Sequence, residues 1–303
     1  MAYRLSLADD VASGVRSCAR EQLADAVERL EGAADDPVAA VHEARKDLKK
    51  TRALLRLVRP ALGRKAYRRE TDALREIAAA LSGARDADVR VATTRALAAH
   101  AAGQLPADVF DALGAALATE VAERDGGAAY GEAAEQLRAA ALRVESWPLE
   151  EAGWDTVLAG LARAYERGRE AFATARAKPE PELLHAWRKR AKDLWYHQRL
   201  LAPAWPEVLD AQAEAAHALS ELLGDDHDLA VLAERLADEA PPLAAAVDAR
   251  RAELRTLVAH RSEALRADAF ALGRRIYAES PKAFPRRLGR YVQLAVEEAR
   301  AGA

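Results

Sequence analysis

The chain has 303 residues, of which 50% are hydrophobic and 5% aromatic, and its net charge is −3. This length suits one large or two ordinary domains with a real core, and the scarcity of aromatic and β-branched runs argues against a sheet-based fold. The single cysteine, Cys18, excludes an intramolecular disulfide and a cluster of thiolate metal ligands.

Residues 1–10 show no targeting signal, because they carry two acids and no apolar stretch of the kind found in a signal peptide. No apolar run approaches the roughly 18 residues that a membrane-spanning helix needs. We therefore expect a cytoplasmic protein without a membrane partner.

Apolar residues recur at helical spacing in twelve blocks along the chain. Short segments with Gly or Pro separate most of these blocks and predict where the helices begin and end. The predicted helices cover 8–31, 37–59, 64–82, 86–102, 106–124, 127–145, 150–176, 180–202, 205–223, 226–239, 243–279 and 283–301. We therefore predict an all-α fold.

The second half of the chain repeats the first. Four residues of the second predicted helix return 143 residues later, in the eighth. They are His42, Arg45, Lys46 and Lys49, and their counterparts are His185, Arg188, Lys189 and Lys192. The same shift relates Arg20 to Arg163 and Arg56 to Arg199. We infer an internal duplication, with homologous helical-bundle repeats of about six helices each at 1–146 and 147–303.

Positive charge is concentrated in one part of an otherwise acidic chain. Between His42 and Arg75 there are twelve Lys and Arg but four Asp and Glu, so this segment carries +8 and the remainder −11. Such segregation indicates a local electrostatic site. On a helical wheel, the basic residues of each repeat fall on one face. These faces are His42, Arg45, Lys46, Lys49, Arg52 and Arg56 in the first repeat, and His185, Arg188, Lys189, Lys192 and Arg199 in the second.

Two interpretations of these basic faces are open. A solvated helix face would pair its cations with acids three or four residues away. Glu43 and Asp47 lie off the first face, which predicts that its cations have no partners within their own helix. Like charges at this spacing destabilise a helix unless an anion neutralises them, so we favour a site for a phosphate polyanion.

The repeated His-x-x-Arg-Lys-x-x-Lys motif, the segment 165–169 and the Gly-containing turns predicted at 83–86 and 224–228 resemble the CHAD family, the conserved histidine α-helical domain. The resemblance covers essentially the whole chain and implies two helical repeats around a basic central cavity or groove. It also implies binding of inorganic polyphosphate and, for many members, association with polyphosphate granules.

The resemblance assigns ligand contacts to the histidines, arginines and lysines of the repeated motif, which Arg52, Arg56 and Arg199 extend. Where the first repeat has Arg52 the second has Trp195, so no matching contact is expected there. Further candidate contacts are Arg20, Arg64, Arg68, Arg75, Arg163 and Arg167.

Two other functional classes are considered. Trp195 and Tyr196 adjoin the second basic face and could stack on bases, which leaves a nucleic-acid or nucleotide binding module as the alternative. The first face has no aromatic platform, so we do not expect nucleic acid as the physiological ligand. The other class is an enzyme that acts on phosphoanhydrides.

Metal chemistry and catalysis have no support from motifs. The acidic run 225–228 could ligate a metal, but we favour a helix N-cap after Gly224, where Asp accepts backbone N–H bonds. No phosphate-binding loop, dinucleotide-binding turn or zinc-binding helix motif occurs. We therefore predict a binding protein rather than an enzyme, with no catalytic residue, metal or cofactor.

Overall fold

The computed structural model describes residues 3–33, 36–81, 86–119, 127–237 and 240–301. This part of the protein forms twelve α-helices and no strand, and 84% of its residues are helical. The helices are α1 Val11–Glu31, α2 Pro37–Leu57, α3 Arg59–Ala80, α4 Asp86–His100, α5 Ala107–Thr119, α6 Gly127–Arg143, α7 Trp154–Ala177, α8 Pro181–Leu201, α9 Pro206–Arg235, α10 Ala245–Asp248, α11 Arg251–Ile276 and α12 Ala283–Ala301. The predicted all-α fold is confirmed.

Several helices begin where local chemistry favours a start. The side chain of Asp10 accepts a hydrogen bond from the backbone N–H of Ser13 at 2.9 Å, which caps α1. Asp36 caps α2 in the same way through Ala39, at 3.0 Å. These bonds satisfy backbone donors that the first turn of a helix leaves without partners. Proline in the first turn begins α2, α8 and α9.

The predicted break at Gly224 is wrong. Helix α9 runs without interruption from Pro206 to Arg235, so the predicted helices 205–223 and 226–239 are one, and the predicted turn at 224–228 is helical. A glycine costs a helix interior only about 1 kcal/mol, which packing of α9 against α8 and α11 can offset. Asp225, Asp226 and Asp228 therefore cap no helix.

Other boundaries also differ from the prediction. The predicted helix 243–279 is divided into α10 and α11. The predicted break between Pro60 and Gly63 is a bend inside α3, where Gly63 adopts a φ of 69° that suits a residue without a side chain. The break predicted at 82–84, most of the break predicted at 125–127 and most of the turn predicted at 83–86 lie outside the described residues, and Gly127 begins α6.

Buried apolar side chains form two clusters. The larger joins α1, α2, α3, α6, α7, α8 and α12 to the first half of α9 and the end of α11. The smaller joins α4, α5 and α10 to the second half of α9 and the first part of α11. Each cluster contains residues from both sides of residue 147, so both halves of the chain contribute to each core. The duplication itself stays a prediction from the sequence.

Helices α2 and α8, which carry the two predicted basic faces, pack against each other. The buried ring of His197 on α8 makes a 2.9 Å hydrogen bond through Nε2 to the backbone oxygen of Ala53 on α2. Because these two helices are in contact, their basic faces can reach the same space.

Within the described ranges, no helix has both the length and the apolar character needed to cross a bilayer.

Candidate functional site

A cavity of about 830 Å³ lies between α2, α3, α4, α8 and α9. Helices α2 and α8 belong to the larger hydrophobic cluster, whereas α4 and the second half of α9 belong to the smaller one. Nine of the residues predicted from the sequence line it. They are Arg45, Lys49, Arg52, Arg56, Arg75, His185, Arg188, Lys189 and Lys192.

The cavity wall carries a large excess of positive charge. Ten Lys and Arg side chains line it, and the two acids among the lining residues are Asp193 and Asp228. This leaves eight positive charges in excess before His185 and His227 are counted. Concentrated charge of one sign inside a concave, partly desolvated space attracts and holds an ion of the opposite sign.

On the α2 side, the cations are close to one another and partly buried. Burial, together with the charges of Arg56 and Arg75, lowers the pKa of Arg52 to about 10. Arg56 forms an ion pair with the buried carboxylate of Asp193 on α8, at 2.6 Å. Asp193 also pairs with Arg190 at 3.0 Å, so one carboxylate positions two cations at the junction of α2 and α8.

On the α8 side, His185 lies against His227 of α9, with 4.4 Å between the ring centroids. Burial, together with the charges of Lys189, His227 and Arg188, lowers the pKa of His185 to about 4. The imidazole of His185 is therefore neutral at pH 7. Burial is the largest cause of this lowered pKa, and the neighbouring cations add to it.

Several polar atoms in the wall are buried without a hydrogen-bond partner among the described residues. They are the Nε atoms of Arg52, Arg56 and Arg188 and the Nδ1 atom of His185. A buried guanidinium N–H that lacks an acceptor costs about 1–3 kcal/mol or more, because it has lost its bonds to water. An anion in the cavity would supply acceptor oxygens to donors on both α2 and α8.

Eight of the predicted site residues do not line the cavity. They are His42, Lys46, Arg199, Arg20, Arg64, Arg68, Arg163 and Arg167. Lys46 pairs with Glu43 at 2.5 Å, so the prediction that the cations of α2 have no partners in their own helix is wrong for Lys46. The prediction fails for Lys46 because a long lysine side chain can reach an acid three residues away, even where a helical wheel places that acid off the basic face.

Three basic lining residues were not predicted as ligand contacts. Arg90 lies on α4, where no basic stripe marks a functional face. Arg190 lies off the predicted face of α8 and reaches the wall beside Asp193. His227 stood out in the sequence only as part of the acidic run, and its register on an uninterrupted α9 brings it to His185.

The acidic run 225–228 does not act as a unit. Asp226 is buried and accepts hydrogen bonds from Ser262 and, at 2.8 Å, from the Nε of Arg266. It therefore ties α9 to α11, while Asp228 lines the cavity. Within the described residues, no group of three or more His, Cys, Asp or Glu side chains is arranged to hold a metal ion.

The aromatic residues beside the second basic face are engaged with other parts of the protein. Trp195 stacks on His217, with 4.0 Å between centroids and 6° between planes, and Arg199 lies 5.5 Å over its ring. Tyr196 is 3% exposed, packs edge-on against Tyr3 and also forms part of the cavity wall. These rings pack between helices, which is the common role of such residues.

The described helices define an all-helical protein, and ten Lys and Arg side chains line the cavity between them. The chain belongs to the CHAD family, since the model of the CHAD domain matches residues 17–237. The resemblance seen in the sequence is thereby confirmed. CHAD domains are linked to the binding of polyphosphate and triphosphate. No curated protein sequence matches the chain.

Proposed function

We propose that the cavity binds inorganic polyphosphate, and that the protein is a binding module without catalytic activity that associates with cytoplasmic polyphosphate granules. The observation that carries the proposal is the wall of ten Lys and Arg side chains against two Asp. Family membership supports the same class of ligand. A single phosphate group would neutralise only a small part of this charge, whereas a chain of phosphates carries a negative charge on each unit and can neutralise more of it.

The donor geometry favours phosphate oxygens over other anions. Guanidinium groups present planar pairs of N–H donors that suit phosphate, and lysines add mobile point charges. Arg52 and Arg188 approach the space from α2 and α8, and each has a buried Nε without an acceptor among the described residues. A cavity of about 830 Å³ has the size of an ordinary ligand site and accommodates several consecutive phosphate units.

The same features support a single shared site for both predicted repeats. Basic residues from the two repeated motifs line one cavity, and Asp193 on α8 is paired with Arg56 on α2. We propose that the two repeats surround this basic cavity together. His42 and Lys46 would then contact polyphosphate only where the chain leaves the cavity.

Calorimetric titration with long-chain polyphosphate at about 50 and about 200 mM salt tests the proposal. Because binding to many cations releases counterions, we expect tight binding that weakens about a thousandfold or more across this range. The double variant Arg52→Glu, Lys189→Glu should abolish binding at the higher salt. The double variant Arg274→Glu, Arg275→Glu, which changes two exposed residues of α11 outside the cavity, is the charge-matched control. Absence of binding by the wild-type protein at the lower salt would overturn the proposal.

Two further measurements separate the alternatives. RNA of equal total charge should fail to displace polyphosphate, because the aromatic rings near α8 are packed against protein side chains. Incubation with polyphosphate, with and without a divalent metal, should release no phosphate. Asp193 is already paired with two arginines, which leaves its carboxylate poorly placed as a general base.

A further inference from the structure

Gly224 lies in the interior of α9, eighteen residues after the helix begins at Pro206. Glycine is a poor residue for such a position, since it costs about 1 kcal/mol relative to alanine. The backbone at Gly224 does not take a left-handed conformation, so no turn requires glycine there. Some other property of the residue has to account for its position.

Glycine has no Cβ, and the space that this leaves beside the Cα of Gly224 is occupied by another side chain. A Cβ atom at residue 224 would lie 2.6 Å from Nη2, 3.0 Å from Cζ and 3.2 Å from Nε of Arg188. These three atoms belong to one planar guanidinium, so a methyl group would occupy the space of the guanidinium itself. Among the described glycines, Gly224 is the one whose added Cβ would meet a basic side chain of the cavity.

We propose that Gly224 is a positioning residue that lets the guanidinium of Arg188 pack against the backbone of α9 and present its donors to the ligand. This inference rests on the proposed binding of polyphosphate in the cavity. Arg188 lines the cavity, and its buried Nε has no acceptor among the described residues, so its guanidinium is held at the wall before a ligand arrives. A side chain held in place in this way loses less conformational entropy on binding.

An added Cβ at other glycines of the protein would meet a different kind of neighbour. Gly168 and Gly273 make room for the rings of Tyr277 and Trp187 in the apolar core, where a methyl group would disturb packing. At Gly224 the neighbour is the far end of a flexible side chain, which can move away without disturbing the core. Substitution there should therefore change the ligand site and leave the fold intact.

The test is Gly224→Ala, measured for both stability and affinity. We expect the melting temperature to rise, because alanine favours the helix, while the Kd for long-chain polyphosphate increases roughly tenfold as Arg188 is displaced. Gly131→Ala is the matched control, since Gly131 lies in α6 with open space around its Cα. The control should gain stability without a change in Kd.

A double-mutant cycle distinguishes positioning of Arg188 from a general effect on the cavity. Arg188→Ala should weaken binding by itself, and adding Gly224→Ala to it should produce no further loss. An unchanged Kd in Gly224→Ala, or a full additional loss in the Arg188→Ala background, would overturn the inference. If the wild-type protein does not bind polyphosphate, the proposed function fails first, so the two failures are distinguishable.

Discussion

His185 places a titratable group against the most cationic part of the cavity. Its ring faces His227 from α9 and lies near Lys189 and Arg188 of its own helix. Burial and these neighbours lower its pKa to about 4, from an ordinary value of about 6.5. Burial and the neighbouring cations keep this imidazole neutral, and a bound polyanion would reverse the electrostatic part of this environment.

We therefore expect polyphosphate binding to raise the pKa of His185 and to take up a proton. Affinity should increase as pH falls from about 7.5 towards about 5, by at most about tenfold per pH unit for one proton, and should level off near pH 4. Calorimetry in buffers of different ionisation enthalpy measures the proton uptake. His185→Gln should reduce it, whereas His260→Gln, on the exposed surface of α11, should not. Equal uptake in both variants would contradict the prediction.

At the scale of single residues, the sequence predicts which cations matter only where they form a pattern. The spacing on α2 and α8 identifies Arg45, Lys49, Arg188 and Lys192, all of which line the cavity. Arg90 has no such pattern, because its position in the wall depends on how α4 crosses the other helices. Tertiary packing sets the distances between helices, and no local sequence pattern indicates these distances.

At the scale of elements, the contact between α2 and α7 depends on a glycine. A Cβ at Gly160 of α7 would lie 1.8 Å from the backbone oxygen of Leu57, at the end of α2. Backbone atoms cannot move aside as a flexible side chain can. We expect Gly160→Ala to lower the free energy of unfolding by at least about 3 kcal/mol, in urea denaturation. Gly114→Ala in α5, where a Cβ meets nothing within 4 Å, should not destabilise the protein.

The contact between α2 and α8 should make the fold sensitive to acid. Burial lowers the pKa of His197 to about 4, although Asp193 and the bond to Ala53 act in the opposite direction. The unfolded chain has the ordinary pKa near 6.5 and binds the proton more readily, so stability is full above this value and falls as pH decreases towards 4. The loss from this one group is about 3 kcal/mol.

Urea denaturation between pH 7 and pH 4 measures this loss. His197→Gln keeps an N–H that can bond to the oxygen of Ala53 but does not titrate, so its stability should depend less on pH in this range. His260→Gln should retain the full dependence, because His260 is exposed on α11. If the free energy of unfolding of His197→Gln depends on pH as steeply as that of the wild-type protein, other groups dominate the acid response.

Element boundaries follow from the sequence where proline or a capping aspartate marks them. Pro37 and Pro181 begin α2 and α8 within a residue of the predicted starts. Gly224 misled the prediction because a glycine looks the same in a sequence whether it ends a helix or admits a neighbouring side chain. The difference is visible only once Arg188 is placed beside it.

At the scale of the whole molecule, the two hydrophobic clusters leave a charged space between them. Helices α2 and α8 present apolar residues to the larger cluster and cations to the cavity, while α4 and α9 close the other side. A net charge of −3 therefore coexists with a strongly positive interior wall. The acidic remainder of the surface repels polyanions elsewhere, which directs them to the cavity.

One shared cavity and two independent basic faces predict different responses to the same substitutions. If each face bound polyphosphate alone, Arg52→Glu on α2 would remove half of the binding capacity and leave the affinity of the other face unchanged. With one cavity, capacity should stay constant while affinity falls, and Lys189→Glu on α8 should act in the same way. Each substitution should also lower the slope of log K against log salt, because fewer counterions are released. Titration of both single variants to saturation at about 50 mM salt measures capacity and affinity together, and a halved capacity at unchanged affinity would show that the two helices bind separately.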